Sequence, residues 1–301
     1  MNLEITTQLK GIYSFTAVNS KTGHSRHLGE VADENPNTIV TSGLDQIGGG
    51  NSLMHSCCVG TDSTVTSMNM TALGNQIAST TTVQTNASGT QTSPPYFSWY
   101  RRTFRFAQGS AAGNLTEVGI KTSGSVLFSR ALIVDSAGQP TTLTILSDEY
   151  LDVTYEFRMY PDTNDVVMTV PLNGTDYVCT LRAANVNSTP SYFDDGIASS
   201  LASSSTSYMY SGGIGSVTSN PSGSSHYHST SLVGAYVNGT FERTYNFWAG
   251  LNNANFSEGI NSLYLRTSKG NFQVGFSPAI PKTSYMTLSL NLTVKWANYT
   301  I

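Results

Sequence analysis

Apolar and polar residues alternate with a period of two along most of the chain. The pattern holds over residues 103–106, 143–145 and 153–160, and it continues for twelve residues over 285–296. Successive side chains of a β-strand point to opposite faces of a sheet, so this alternation predicts strands with one buried and one solvent-facing side. The longest run predicts a strand near the C-terminal end of the sequence.

Turn-forming residues separate several of these runs. Residues 135–140 (DSAGQP) are small, polar or ring-constrained. They predict a hairpin loop that pairs residues 126–134 with residues 141–146 in an antiparallel arrangement. Asn173-Gly174 predicts a second tight turn, followed by a new strand.

Composition supports a β-rich fold and argues against other classes. The 301 residues are 39% hydrophobic and 10% aromatic but only 11% charged, so the chain has enough apolar surface to form a core, and disorder is disfavoured. Residues 70–77 and 193–201 each predict no more than one helical turn, which excludes a helical bundle. We therefore predict an all-β protein of antiparallel β-sandwich or jelly-roll type with a long Ser/Gly-rich insertion.

The predicted strands suggest two regions. Residues 1–172 are interpreted as an N-terminal β-sandwich scaffold, and residues 173–301 as a second β region whose C-terminal strands return to that scaffold. Within the second region, residues 185–231 are rich in Ser, Gly and Tyr and poor in aliphatic residues. This stretch predicts an exposed excursion from the sheet framework, and we expect a deletion of residues 203–224 to leave a folded protein.

Charge and cysteine usage narrow the functional classes. The net charge is −4 with scattered basic residues, so we expect no nucleic-acid partner. No apolar run reaches the length of about 18 residues that a membrane span needs, and the first residues lack the pattern of a Sec-type leader. Cys57, Cys58 and Cys179 have neither metal-ligand spacing nor an even count, so all three are expected to be reduced thiols.

We find no catalytic or cofactor-binding motif in the sequence. The stretch Gly48-Gly49-Gly50 lacks the Lys of a phosphate-binding loop, and no nucleophile elbow is present. Adjacent Asp194 and Asp195 would face opposite sides of a strand, so we interpret them as a solvated turn. We expect no enzymatic activity and no cofactor.

His226 and His228 have the only metal-like spacing. On a strand both imidazoles would point to one face, and three such pairs in a trimer would supply six nitrogens around one ion. The neighbouring Ser residues and the lack of a carboxylate favour an exposed loop instead.

Three arginines follow an aromatic run. Arg101 and Arg105 share one strand face, whereas Arg102 shares the other with Phe104 and Phe106. Aromatic rings interleaved with arginines suggest stacking on bases or sugars. Cross-strand pairing with acidic residues at a subunit contact is the favoured interpretation.

The Ser/Gly/Tyr-rich stretch supplies the candidate contact residues. Tyr192, Tyr208, Tyr210 and Tyr227 are spaced among Ser and Gly, which gives large amphipathic contact area on an adaptable backbone. Such a stretch serves either recognition of a receptor or packing on a neighbouring subunit.

The order of several segments resembles tailed-bacteriophage tail and fibre-type structural proteins. These segments are residues 37–48 (NTIVTSGLDQIG), 58–64 (CVGTDST), 71–78 (TALGNQIA), 104–106 (FRF), 114–119 (NLTEVG), 127–133 (LFSRALI) and 276–283 (FSPAIPKT), the last followed by a strand that contains Trp296. The resemblance covers most of the chain except residues 185–250. It implies a virion component made in the bacterial cytoplasm, without catalytic or ligand residues.

The resemblance leaves the position in the virion open among tail tip, baseplate, fibre, collar and head. We expect a homo-oligomer of threefold or sixfold symmetry that contacts its own copies and other virion proteins. The first alternative is a receptor-binding tip that contacts host surface glycan or a pilus. The second is a glycan depolymerase.

Overall fold

The computed structural model describes residues 2–30, 38–187, 193–200, 206–229 and 231–300. Two short helices are present in this part of the chain, α1 (Thr41–Gly48) and α2 (Ile197–Ser200). The strands in chain order are β1 (Asn2–Asn19), β2 (Ser25–Glu30), β3 (Thr38–Ile39), β4 (Ser56–Gly60), β5 (Gln76–Thr80), β6 (Val83–Gln91), β7 (Phe97–Phe106), β8 (Gly113–Leu115), β9 (Glu117–Lys121), β10 (Leu127–Leu132), β11 (Leu143–Ile145), β12 (Glu149–Pro161), β13 (Val166–Leu172), β14 (Thr175–Ala183), β15 (Thr206–Tyr210), β16 (Ser225–Ser229), β17 (Ser231–Leu232), β18 (Glu242–Ala249), β19 (Ile260–Thr267), β20 (Gly270–Ile280) and β21 (Leu288–Asn298).

The strands form four sheets, and nearly all neighbours are antiparallel. An eight-stranded sheet has the order β17-β18-β21-β1-β12-β7-β6, with β2 also paired to β1. A five-stranded sheet has the order β3-β10-β9-β4-β5, a six-stranded sheet has the order β13-β14-β20-β19-β15-β16, and β8 pairs with β11. The pairing of β1 with β21 is parallel. The predicted all-β class is confirmed.

Alternation along the long strands explains how the sheets acquire a buried face. In β1 the side chains of Leu3, Ile5, Leu9, Tyr13 and Phe15 are at most 2% exposed, and the even-numbered residues from 4 to 14 are more exposed. Burying one such side chain contributes roughly 1.5–3 kcal/mol. The pattern that predicted strands from the sequence therefore also identifies the face of β1 that packs inward.

The buried face of the eight-stranded sheet contacts both of the other large sheets. The Tyr13 hydroxyl lies 2.7 Å from the Ser129 hydroxyl of β10, and the rings of Phe157 and Phe128 pack edge to face. Farther along β1, the Thr7 hydroxyl donates to the Lys269 carbonyl between β19 and β20. Strands from both predicted regions share the eight-stranded sheet, as the C-terminal strands do return to the N-terminal ones. The division at residue 172 stays a prediction.

One predicted hairpin is confirmed, and the other is confirmed only next to its turn. Asn173 and Gly174 have φ of +52° and +82°, the left-handed conformations that a tight two-residue turn requires, and they join β13 to β14. Residues 135–140 also turn, since the Asp135 amide donates to the Gln139 carbonyl. However, β10 pairs with β9 and β3, and β11 pairs with β8. Next to the turn, Val134 faces Pro140 in an isolated antiparallel bridge and the Thr141 amide donates to the Ile133 carbonyl at 2.9 Å, after which the chain leaves for another sheet.

The helices differ from the sequence prediction. Helix α2 lies within residues 193–201, as predicted, but residues 70–77 form a bend that leads into β5. Helix α1 was not predicted, because eight residues carry only a short apolar face formed by Leu44 and Ile47. Gly43 permits its close approach to β10, since a Cβ there would lie 2.0 Å from the Phe128 carbonyl oxygen.

The expectation that residues 185–231 leave the sheet framework is wrong for residues 206–210 and 225–229, which form strands β15 and β16. Strand β15 lies inside the six-stranded sheet between β19 and β16, and Ser207 and Met209 are fully buried. The loop between β15 and β16 is held on the sheet by Gln273, whose amide donates to the carbonyls of Gly215 and Ser216 at 3.1 and 3.0 Å. A deletion of residues 203–224 would therefore remove an inner strand, contrary to the expectation that the remaining chain folds.

The three cysteines are free and buried. Burial raises the pKa of the Cys58 thiol to about 12 and that of Cys179 to about 11, and it also raises the pKa of Cys57. Thiolates are the reactive species, so we expect the native protein at pH 8 to resist a thiol reagent and the urea-denatured protein to titrate three groups. A single titrated group after denaturation would reveal a disulfide and refute the assignment.

Among the described residues, no helix combines the length and the apolar character needed to cross a membrane.

Candidate functional site

The structure brings three of the four predicted contact tyrosines together. Tyr264 of β19, Tyr208 of β15 and Tyr227 of β16 lie directly opposite one another, and Tyr210 follows on the same face of β15. The ring centre of Tyr208 lies 5.5 Å from that of Tyr227, 6.1 Å from that of Tyr210 and 6.3 Å from that of Tyr264. We call these four residues the tyrosine cluster. Tyr192, the fourth predicted residue, lies outside the described residues.

The tyrosine cluster is layered from the sheet interior to its edge. Tyr264 is buried, Tyr208 and Tyr210 are half-buried, and Tyr227 is 53% exposed on the edge strand. Burial raises the pKa of Tyr264 to about 12 and also raises the pKa of Tyr210, so these hydroxyls stay protonated at neutral pH. Each protonated hydroxyl can both donate and accept a hydrogen bond. The cluster therefore presents aromatic area together with neutral polar groups.

His226 and His228 point to one face of β16, as their spacing predicted, because they lie opposite Met209 and Ser207 on β15. Burial, followed by the neighbouring His226, lowers the pKa of His228. Its Nε2 accepts a hydrogen bond of 3.2 Å from the backbone amide of Trp248. No group of three or more metal-ligating side chains occurs in the part of the chain that the structure describes. Metal binding by the pair stays a prediction.

Arg101 and Arg105 lie on the outer face of the eight-stranded sheet, away from the tyrosine cluster. Arg101 lies opposite Glu156 and binds it through Nε at 2.9 Å. Arg105 binds Asp152 through two nitrogens at 2.7 and 2.6 Å. The predicted cross-strand pairing with acidic residues is thus confirmed within the chain, and the role of these pairs at a subunit contact stays a prediction.

Arg102 points to the other face of β7, as predicted, and binds Asp194 at 3.0 Å. The interpretation of Asp194 as part of a solvated turn is wrong. Its carboxylate accepts hydrogen bonds of 2.7 Å from the Met54 amide and from the Ser52 hydroxyl. The reason lies in the tertiary structure, because the chain before α2 crosses the loop that leads into β4. The Asp194 carboxylate connects these two segments.

A second candidate site, which the sequence did not predict, is a cavity where β1 and β12 reach one end of the eight-stranded sheet. It encloses about 450 Å³, and its lining includes three aromatic rings and three polar side chains. We call it the aromatic cleft and define it by Tyr96, Tyr160, Tyr299, Gln8, Asp162 and Asn164.

One wall of the aromatic cleft is a column of packed rings. The ring centre of Tyr160 lies 4.4 Å from that of Tyr299 and 5.1 Å from that of Phe97. The Arg158 guanidinium lies 4.7 Å from the Phe97 ring centre, and the Lys10 ammonium lies 5.8 Å from that of Tyr299. These cation–π contacts hold both ends of the column, so the wall is formed before any ligand arrives.

The sequence contained only part of the signal for this cleft. Alternation along β12 places Tyr160 on the solvent-facing side, and Tyr96 begins the aromatic run before Arg101. Tyr299 follows the last strand and shares no motif with either residue. The three residues line one cleft only because the sheet places β21, β1, β12 and β7 side by side.

Comparisons of the chain with protein-family models, with curated proteins and with solved structures find no match.

Proposed function

We propose that the chain is a structural subunit of a tailed-phage virion, of tail, baseplate or tail-fibre type, with an antiparallel β-sandwich or jelly-roll architecture. It is made in the bacterial cytoplasm and assembles with its own copies and with other virion proteins. The order of the phage-like sequence segments supports this assignment. Three thiols that are all unpaired fit a protein that folds in a reducing compartment.

The observation that carries the proposal is the tyrosine cluster. A subunit that works through protein contacts needs an amphipathic surface on a rigid support, and tyrosine gives large contact area at low cost in conformational entropy. Within the cluster, Tyr227 is exposed at the sheet edge, while the buried Tyr264 packs against Tyr208. The adjoining rings of Tyr227, Tyr208 and Tyr210 support the proposal, because proteins use contiguous aromatic surface for contacts with partners.

We expect the purified full chain to form multimers in light scattering. In a Tyr227→Glu variant, burial of a carboxylate in the contact should be unfavourable, and the measured mass should fall towards that of the monomer. Tyr285→Glu is the matched control, because Tyr285 is 93% exposed and lies outside the tyrosine cluster. A wild-type protein that stays monomeric and that antibodies do not detect on purified particles would refute the proposal.

A receptor-binding tail tip is the second candidate function. The Ser- and Gly-rich loop over 211–224, which adjoins the tyrosine cluster, favours it, because tyrosines beside small polar residues suit recognition of a host glycan or pilus. Copy number and position in the particle separate this role from that of a tail or baseplate subunit. Release of reducing ends from host polysaccharide by the purified protein would instead identify a depolymerase.

A further inference from the structure

We propose that the aromatic cleft binds a neutral oligosaccharide. The inference rests on the cleft alone and holds whether or not the chain is part of a virion. A sugar ring has apolar C–H faces and a rim of hydroxyls, so its site needs an aromatic platform beside hydrogen-bonding groups. The aromatic cleft places both in one concave space.

Tyr96 supplies the platform. It is half-buried at the cleft, and among the described residues no other ring and no cation packs on it. The opposite wall, formed by Tyr160 and Tyr299, is already packed within the ring column. The ring of Tyr96 is therefore the aromatic surface left for a ligand to cover.

Two side chains with unused hydrogen-bonding atoms lie beside these rings. Gln8 is opposite Tyr160 in the sheet register. The side-chain amide of Gln8 has no hydrogen bond within the described ranges. Asp162 is fixed by its backbone, since its amide donates to the Thr6 carbonyl and its carbonyl accepts from Ala183. Its Oδ1 accepts from the Asn164 amide at 3.0 Å, which leaves Oδ2 as an acceptor for a ligand hydroxyl.

The charge and size of the cleft select the ligand class. Its lining includes one carboxylate and neither Lys nor Arg, which disfavours phosphate, nucleic acid and acidic peptides. Eight of the eleven lining residues carry a hydroxyl, an amide or a carboxylate, so a polyol satisfies more of the surface than a proline-rich peptide does. The volume of about 450 Å³ lies in the range of roughly 300–1,000 Å³ typical of small-ligand sites.

The test titrates the full chain with maltohexaose, mannohexaose and chitohexaose, by saturation-transfer NMR and by calorimetry. We expect at least one of these three hexasaccharides to bind. Tyr96→Ala should weaken its binding about tenfold, because the stacking platform is removed, and Gln8→Ala should weaken it less. Tyr285→Ala, which removes a 93% exposed tyrosine outside both the aromatic cleft and the tyrosine cluster, is the matched control and should bind as the wild type does.

Three results would overturn the proposal. The first is that none of the three hexamers binds at millimolar concentration. The second is that Tyr227→Ala abolishes binding while Tyr96→Ala leaves it unchanged. The third is that a proline-rich decapeptide binds in a Tyr96-dependent manner and the hexamers do not. Antibody labelling of purified particles is a separate measurement, so failure of the glycan site is distinguishable from failure of the virion assignment.

Discussion

Replacing Arg130 with Met should lower the free energy of unfolding by about 3–5 kcal/mol, the loss expected when one partner of a buried ion pair is removed. Arg130 is fully buried in β10. Its Nε donates to Glu117, also fully buried, at 2.8 Å, and its Nη2 lies 3.1 Å from Asp62. Methionine fills a similar space but leaves the Glu117 carboxylate without its cation.

Glu117 also organises the backbone around it. Its carboxylate accepts hydrogen bonds from the amides of Gly74 and Asn75, at 3.0 and 2.8 Å. Arg130 in turn donates to the Thr64 carbonyl at 2.8 Å. A double variant, Arg130→Met with Glu117→Leu, removes both charges but orphans these backbone groups. We therefore expect it to recover only part of the lost stability.

Urea denaturation followed by fluorescence measures the effect. Arg101→Met is the matched control, because Arg101 forms an ion pair with Glu156 on another strand but is 48% exposed. Exposed pairs contribute about 0–1 kcal/mol, so this variant should change stability little. Equal losses for the two variants would show that the Arg130 cluster is not a buried charge network in energetic terms.

A Lys269→Met variant should lose a pH dependence of stability that the wild type has between pH 7 and 8.5. Lys269 is fully buried, and its Nζ donates to the carbonyls of Phe193 and Asp195 at 2.9 and 2.7 Å. Burial lowers the pKa of this ammonium to about 7, although Asp194 and Asp195 partly oppose the shift.

An unfolded lysine has a pKa of about 10.4, so between these two values the unfolded state binds more protons than the folded state. Stability therefore rises with pH in this window, by up to ~1.4 kcal/mol per pH unit. The penalty of burying the charged form is fully present below pH 7 and disappears above the unfolded pKa. The buried cysteines act in the opposite direction near pH 9, because their folded pKa values are raised.

Subtracting the free energy of unfolding of the variant from that of the wild type cancels the contribution of the cysteines, which both proteins contain. Urea unfolding is measured at half-unit steps from pH 7 to 8.5. The free energy of unfolding of the wild type minus that of Lys269→Met should rise with pH. Lys295→Met is the control, since Lys295 is a surface residue paired with Glu4, and it should follow the wild-type slope. If Lys269→Met retains that slope, the ammonium does not titrate in the window.

The strands and their faces were predictable where local alternation decides them. Residues 285–296 predicted β21, which begins at Leu288, and the spacing of Arg101, Arg102 and Arg105 correctly divided them between two faces. Each of these features depends only on period-two geometry within one strand.

Features that depend on distant strands were not predictable. Lys269 stands between Ser268 and Gly270, a sequence typical of an exposed turn, yet the six-stranded sheet directs this turn towards Thr7. The aromatic cleft joins residues near positions 8, 96, 160 and 299, which meet only through the sheet order. Strand β15 was hidden by its composition, since Met209 is its one aliphatic side chain.

The parallel pairing of β1 with β21 has a consequence for synthesis. Register partners such as Leu3 and Leu292 are separated by nearly the whole sequence, so a central junction of the eight-stranded sheet cannot close until β21 has left the ribosome. Until then residues 2–9 of β1 are unpaired on the side that later contacts β21, and this edge is open to the edge strands of other nascent chains. Contacts of such long sequence separation also slow folding. Chains arrested before Leu288 therefore expose a strand edge that favours aggregation. Translation of β21 is the step that commits this protein to its native sheet.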